Sequence, residues 1–143
     1  MKASMICTDK EQSAIVAEVL SPHTADMYWN TLYETDCPKV NVPYKPLSSA
    51  CVPAWSLSTL LQRLPETNEE GTHTLALVIS DPDFPTEWLI GYQNDEGDWE
   101  YPTYAHNPVE ACVNLIKEIS QIGAMRQEID NRKYETRGSD VNL

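Results

Sequence analysis

The chain has 143 residues, with 22 Asp and Glu against 10 Lys and Arg, and carries a net charge of −12. A chain of this length fits one domain with a single core that needs no staples. The acidic balance argues against direct contact with phosphate backbones or anionic lipid, because both rest on a basic stripe that releases counterions.

The first helix is signalled by Thr8 and, three residues later, Glu11, the spacing of a capping box. Ala14, Ile15, Val16, Val19 and Leu20 form its apolar side, and Ser21 and Pro22 end it. A β-prone run covers Met27 to Tyr33, bounded by the polar stretch from Glu34 to Asp36. Between Cys37 and Pro53 four prolines fall in seventeen residues, which predicts a long loop, ordered or partly disordered, rather than regular structure. A second helix is expected to begin near Pro53 to Ser56, because Leu57, Leu60, Leu61 and Leu64 share one face, and Pro65 stops it.

After the polar connector from Glu66 to Thr72, Thr74 to Ser80 reads as a strand. Asp81, Pro82, Asp83 and Pro85 make a turn. Glu87 to Gln93 and Asp98 to Tyr104 then form a hairpin around Asn94, Asp95, Glu96 and Gly97, where Gly97 supplies a positive φ. A four-residue loop pairs Gln93 with Asp98, Tyr92 with Trp99 and Ile90 with Tyr101. Alternation then places Trp88, Ile90, Tyr92, Trp99, Tyr101 and Thr103 on one face, and Leu89, Gly91, Glu100 and Tyr104 on the other. Pro102 cannot donate to a ladder, so its strand is an edge.

The last well-signalled helix has Asn107 as N-cap, Pro108 at its first position and Glu110 three after the cap, with Gly123 as its C′ residue. Ala124 to Leu143 reads as a short helix or a mobile tail. The expected fold is α+β: a three- to four-stranded, mainly antiparallel sheet with two or three helices on one face, arranged as an α-β-β-β-α core. The domain spans residues 1–123 and a polar extension spans 124–143. Double-stranded-RNA-binding domains share this order but meet phosphate with lysines at the start of the final helix. Here Asn107 to Cys112 offers only Glu110.

The charge is unevenly distributed. From Leu64 to Ile116 there are eleven acids and no Lys or Arg, ten of these acids between Leu64 and Asn107, while the rest of the chain is nearly balanced. A surface of one sign with Tyr and Trp nearby fits a cationic protein partner. The candidate binding surface comprises Asp81, Asp83, Asp95, Glu96, Asp98, Glu100 and Tyr104.

No catalytic motif is present, and no P-loop, dinucleotide fingerprint or nucleophile elbow. Asp81 with Asp83, and Asp95 with Glu96 and Asp98, lack EF-hand spacing and are explained by turn chemistry, so no metal or cofactor is expected. Cys7, Cys37, Cys51 and Cys112 form no CxxC pair and read as small apolar residues of a reducing compartment. Of these, Cys51 is the better-placed nucleophile and Cys112, on an inner helix face, the poorer. His23, His73 and His106 read as isolated surface or cap-adjacent residues. With no apolar leader and no run of about eighteen apolar residues, a cytoplasmic location is expected.

Several stretches carry a resemblance: Glu11-Gln12-Ser13, Thr24-Ala25-Asp26-Met27-Tyr28-Trp29, Pro53-Ala54-Trp55-Ser56-Leu57 running to Leu64-Pro65, and Asn107-Pro108-Val109-Glu110-Ala111-Cys112. Over residues 7–122 the chain resembles a group of uncharacterised small proteins of Bacteroidales genomes, their phages and other mobile elements. It departs from them in the polar tail after Gly123 and in a shortened, proline-rich stretch between Trp29 and Pro53. The resemblance implies a mobile-element context and no mechanism.

The expectation is a non-enzymatic acidic accessory protein of a phage or mobile element that binds a host or phage protein and blocks its basic surface. The alternative is a small-ligand sponge or minor enzyme with a Tyr/Trp-lined pocket. A third reading is self-assembly through the Pro102 edge or the second helix.

Overall fold

The computed structural model describes residues 6–30, 39–40, 51–79, 83 and 87–132. Among the described residues the elements are α1 (Lys10–Ala17), β1 (Met27–Asn30), β2 (Lys39–Val40), β3 (Cys51–Ala54), α2 (Leu57–Arg63), β4 (Thr74–Ile79), β5 (Trp88–Gln93), β6 (Trp99–Ala105), α3 (Pro108–Ile119) and α4 (Gly123–Arg132), with a 3₁₀ turn over Pro22–Thr24. The fold is α+β, but it has two antiparallel three-stranded sheets, ordered β2-β1-β3 and β4-β5-β6. The order α2-β4-β5-β6-α3 matches the expected core. The small sheet was not expected, because β2 is two residues long and β3 includes Pro53 in a stretch read as loop. The edge position of β3 tolerates that proline.

The main core is the conventional product of an amphipathic helix on a sheet. Val109, Cys112, Leu115, Ile116 and Ile119 of α3 pack with Ile90 and Tyr92 of β5, with Val16 of α1 and Leu20 just beyond it, and with Leu60 of α2 and its C-cap Leu64. Helices α1 and α2 both contact α3, which lies over β5 and β6. Asn107 caps α3 with its side chain on the Glu110 N–H, and Pro108 opens it, as read from the sequence. The helix ends at Ile119, and Gly123 starts α4 instead of serving as C′ residue. Met125 and Ile129 of α4 are fully buried in the same core, so these two side chains anchor an otherwise polar helix.

The cap of α1 is displaced by one residue from its expected position. Asp9, not Thr8, forms the capping box, with Gln12 as its reciprocal partner at 2.7 and 2.9 Å. Thr8 is buried and engaged elsewhere. Its N–H donates to the Trp55 carbonyl, its Oγ1 accepts the Trp55 N–H at 3.1 Å, and its carbonyl accepts the Trp29 indole N–H at 2.9 Å. Under the small sheet a second apolar cluster gathers Cys7, Trp29 and Ala54, with Met27 and Val52 against it.

The hairpin register also differs from expectation. Asn94 N–H donates to Asp98 O, so the loop is the three residues from Asp95 to Gly97, with Gly97 at φ +89° as expected of the left-handed position. The observed pairs are therefore Gln93 with Trp99, Tyr92 with Glu100 and Ile90 with Thr103. A one-residue slip exchanges faces. Glu100 joins the core side and Trp99 moves to the outer face with Leu89, Gly91 and Tyr104.

Between these pairs β6 carries one extra residue, a bulge in which Tyr101 has φ +57°. Such a conformation is a strained one for a bulky residue. The bulge brings Tyr101 O within 2.9 Å of where a Cβ on Gly91 would lie, so only glycine fits there. It also returns the Tyr101 ring to the core side, edge-on to Tyr92 at 6.3 Å.

Candidate functional site

Pairing of Thr74 with Gln93 and of Gln93 with Trp99 brings three segments to one end of the large sheet: the hairpin loop, the start of β6 and the connector from Glu66 to His73. Seven of the ten acids belong to these segments: Glu66, Glu69, Glu70, Asp95, Glu96, Asp98 and Glu100. At the opposite end, beyond a six-residue strand that spans about 20 Å, lie Asp83 and Glu87 in the connection between β4 and β5. Asp81 falls outside the described residues.

The connector is built around Asn68, which is only 3 % exposed. Its Oδ1 accepts the N–H groups of Thr72 and His73 at 2.9 and 3.1 Å, and its Nδ2 donates to Glu100 Oε1 at 3.0 Å. A turn closed by Gly71 N–H on Asn68 O, with Gly71 at φ +73°, completes the loop. One asparagine thus folds the connector and holds it to β6. That contact delivers Glu69 to Tyr101, whose hydroxyl donates to both carboxylate oxygens at 3.0 and 2.9 Å.

The electrostatics follow from this geometry. Partial desolvation, the hydrogen bond to Glu69 and the charges of Glu69, Glu100 and Glu70 push the Tyr101 phenol up to about 12. Partial desolvation works against the Glu69 carboxylate, yet its own backbone N–H and the Tyr101 hydroxyl hold it below the ordinary carboxylate value. Tyr101 therefore stays a donor and Glu69 an anion through the physiological range.

The hairpin loop is organised by a second asparagine. Asn94 Oδ1 accepts the N–H groups of Glu96 and Asp98 at 3.0 and 2.8 Å. The backbone is satisfied by Asn94, and Asp95, Glu96 and Asp98 are exposed around it. Among the described residues no ion pair involves Asp95, Glu96 or Asp98.

The structure brings Asp95, Glu96, Asp98 and Glu100 of the expected surface together. Tyr104, 55 % exposed, lies toward the other end opposite Leu89, and Asp83 is at that end too. Glu69, Glu70 and Tyr101 join the acidic end without having been singled out. The signal for them is the spacing of Asn68, Gly71, Thr72 and His73, which marks a tight loop that must fold back on its neighbouring strands.

Burial pushes the Cys112 thiol up to about 12, and burial with Asp26 and Asp9 pushes Cys7 up to about 11, so neither is a thiolate near neutral pH. Cys51 is half-buried. Among the described residues no three His, Cys, Asp or Glu side chains converge as metal ligands, and no helix is long and apolar enough to cross a membrane. The chain matches no protein-family model, no curated protein and no solved structure.

Proposed function

We propose that this chain is an acidic accessory protein of a phage or mobile element that acts in the cytoplasm by binding a host or phage protein. Its docking surface is the end of the large sheet formed by Asp95, Glu96, Asp98, Glu100, Glu69 and Glu70. The observation that carries the reading is the convergence of two acidic connections at one end of the sheet, in a stretch without Lys or Arg from Leu64 to Ile116. Concentrated charge of one sign accelerates encounter with a basic surface and selects against acidic ones. Docking there would cover a basic patch of the kind that meets nucleic acid, making the chain an inhibitor by occlusion. The resemblance to small proteins of Bacteroidales phages and mobile elements supports the biological setting.

The test is capture of partners from a Bacteroidales lysate across a salt series. The expected partner is basic, and its capture falls steeply as salt rises and the Debye length shortens. Partners retained equally at all salt concentrations would contradict the electrostatic reading.

A further inference from the structure

The two edges of the large sheet are unlike. The β6 edge carries Pro102, the bulge at Tyr101 and the charged Glu100, all devices that stop another strand from adding. The β4 edge carries none of them. Its sequence, Thr-Leu-Ala-Leu-Val-Ile, has no charge, no proline and no bulge, in a chain where more than one residue in five is charged.

Backbone direction along β4 can be read from its pairing. Leu75 N–H donates to Glu66 O at 2.8 Å, so Leu75 turns its backbone groups away from β5 and toward the connector. Successive residues alternate, so Leu77 and Ile79 also point their N–H and C=O groups outward. The connector, bridged at Thr67 to Thr74, covers only the first part of this edge. Among the described residues nothing pairs with the outward groups of Leu77 and Ile79. Val78 and Ile79, on opposite faces of the strand, are 39 % and 40 % exposed.

We propose that the β4 edge from Leu77 to Ile79 receives an extended segment of the basic protein partner as an added strand. Main-chain hydrogen bonds to Leu77 and Ile79 supply the pairing, and the side chains of Val78 and Ile79 flank the added strand on either face. Charge defines the occupant. Glu66, Glu69 and Glu70 lie beyond one end of β4, and Asp83 and Glu87 lie in the connection that leaves the other. An uncharged, β-branched segment with Lys or Arg at both ends matches this pattern. A second copy of this chain would instead bring its own acids alongside. The inference rests on the proposed protein-binding role and adds to it the backbone surface that the partner uses.

The probe is a synthetic peptide of alternating Thr and Val between two Lys pairs, titrated into the full chain with residue-resolved amide exchange. Binding at the edge slows exchange at Leu77 and Ile79 about tenfold or more at saturation, and N-methylation of alternate peptide residues removes binding. Ile79→Pro deletes one outward donor and blocks the edge without touching the main core, so it abolishes binding. Should that variant fail to fold, Val78→Lys places a like charge beside the segment and weakens binding at least severalfold.

Absence of binding, or protection confined to Asn94–Asp98, overturns the edge. A homodimer that Ile79→Pro dissociates also overturns it, because the occupant is then a second copy. The variant Asp95→Asn/Glu96→Gln/Asp98→Asn separates the two proposals. If it alone loses the peptide, the edge is wrong and the acidic-end reading stands. If Ile79→Pro alone loses it, the edge stands and the hairpin acids Asp95, Glu96 and Asp98 are not part of the docking surface.

Discussion

The carboxylates beside the small sheet and those of the hairpin loop are used in opposite ways. Beside the small sheet, Asp9 caps α1 through the Gln12 N–H at 2.7 Å, and Asp26 accepts both the Ser56 N–H at 2.8 Å and the Ser56 hydroxyl at 2.6 Å. Those acids hold the chain together: Ser56 in turn caps α2, and the adjacent Trp55 is fixed by Thr8 and, through its indole N–H, by Thr24 at 2.8 Å. At the end of the large sheet, among the described residues, nothing donates to the side chains of Asp95 and Asp98. Asparagines, not the acids, satisfy the backbone there. The small sheet thus spends its charge on folding, while the hairpin end keeps charge that the fold does not require.

The strongest challenge to this contrast lies in the large sheet itself. Gly91→Ala sets a methyl against the backbone of Tyr101, Glu100 and Pro102 at 2.9 to 3.2 Å, where no side chain can move aside. A loss of about 3 kcal/mol in urea unfolding is expected, with the hairpin losing its bulge. A neutral result would mean that the bulge is not fixed.

Next in size is Asp26→Ala, which strands the Ser56 donors and is expected to cost about 2 kcal/mol. The neutralised hairpin Asp95→Asn/Glu96→Gln/Asp98→Asn is expected to change stability by less than about 0.5 kcal/mol, or to raise it by relieving repulsion. Equal costs for the two variants in the same unfolding assay would erase the distinction between structural and free acids.

Titration gives a smaller effect that separates core from surface. Cys7 and Cys112 are raised to about 11 and about 12 in the fold, so above pH ~9 the unfolded thiols ionise first. Native thiols then hold protons that unfolded ones have lost, and stability falls as pH rises from about 9 toward these native values. Unfolding midpoints measured over that range should decline. At pH 7.5 thiol reagents should modify Cys51 well before Cys7 or Cys112 in the native chain, and rapid labelling of Cys112 would contradict its burial.

Local rules carried the sequence reading where chemistry was local. The α3 cap by Asn107 and Pro108, the leucine face of α2, the positive φ of Gly97 and the edge position of β6 all follow from short-range pattern. The errors arose where tertiary contacts chose between close alternatives. Thr8 is drawn into the Trp55 and Trp29 network, leaving Asp9 as cap. One residue in the hairpin loop moves Trp99 and Glu100 to opposite faces, and the bulge that restores Tyr101 to the core side has no local signature beyond Gly91 and Pro102. The small sheet pairs β1 with strands that a two-residue length and a proline conceal. For the acidic end, the charge count was visible at once, but its continuity depended on Asn68 folding the connector back onto β6.

The most direct test measures capture of a basic partner by the folded Asp95→Asn/Glu96→Gln/Asp98→Asn variant beside the unaltered chain at low salt. An unfolding midpoint that is nearly unchanged or raised is expected, with a loss of capture of about tenfold or more, on the scale that several charge contacts supply. Undiminished capture by the neutralised hairpin would contradict it.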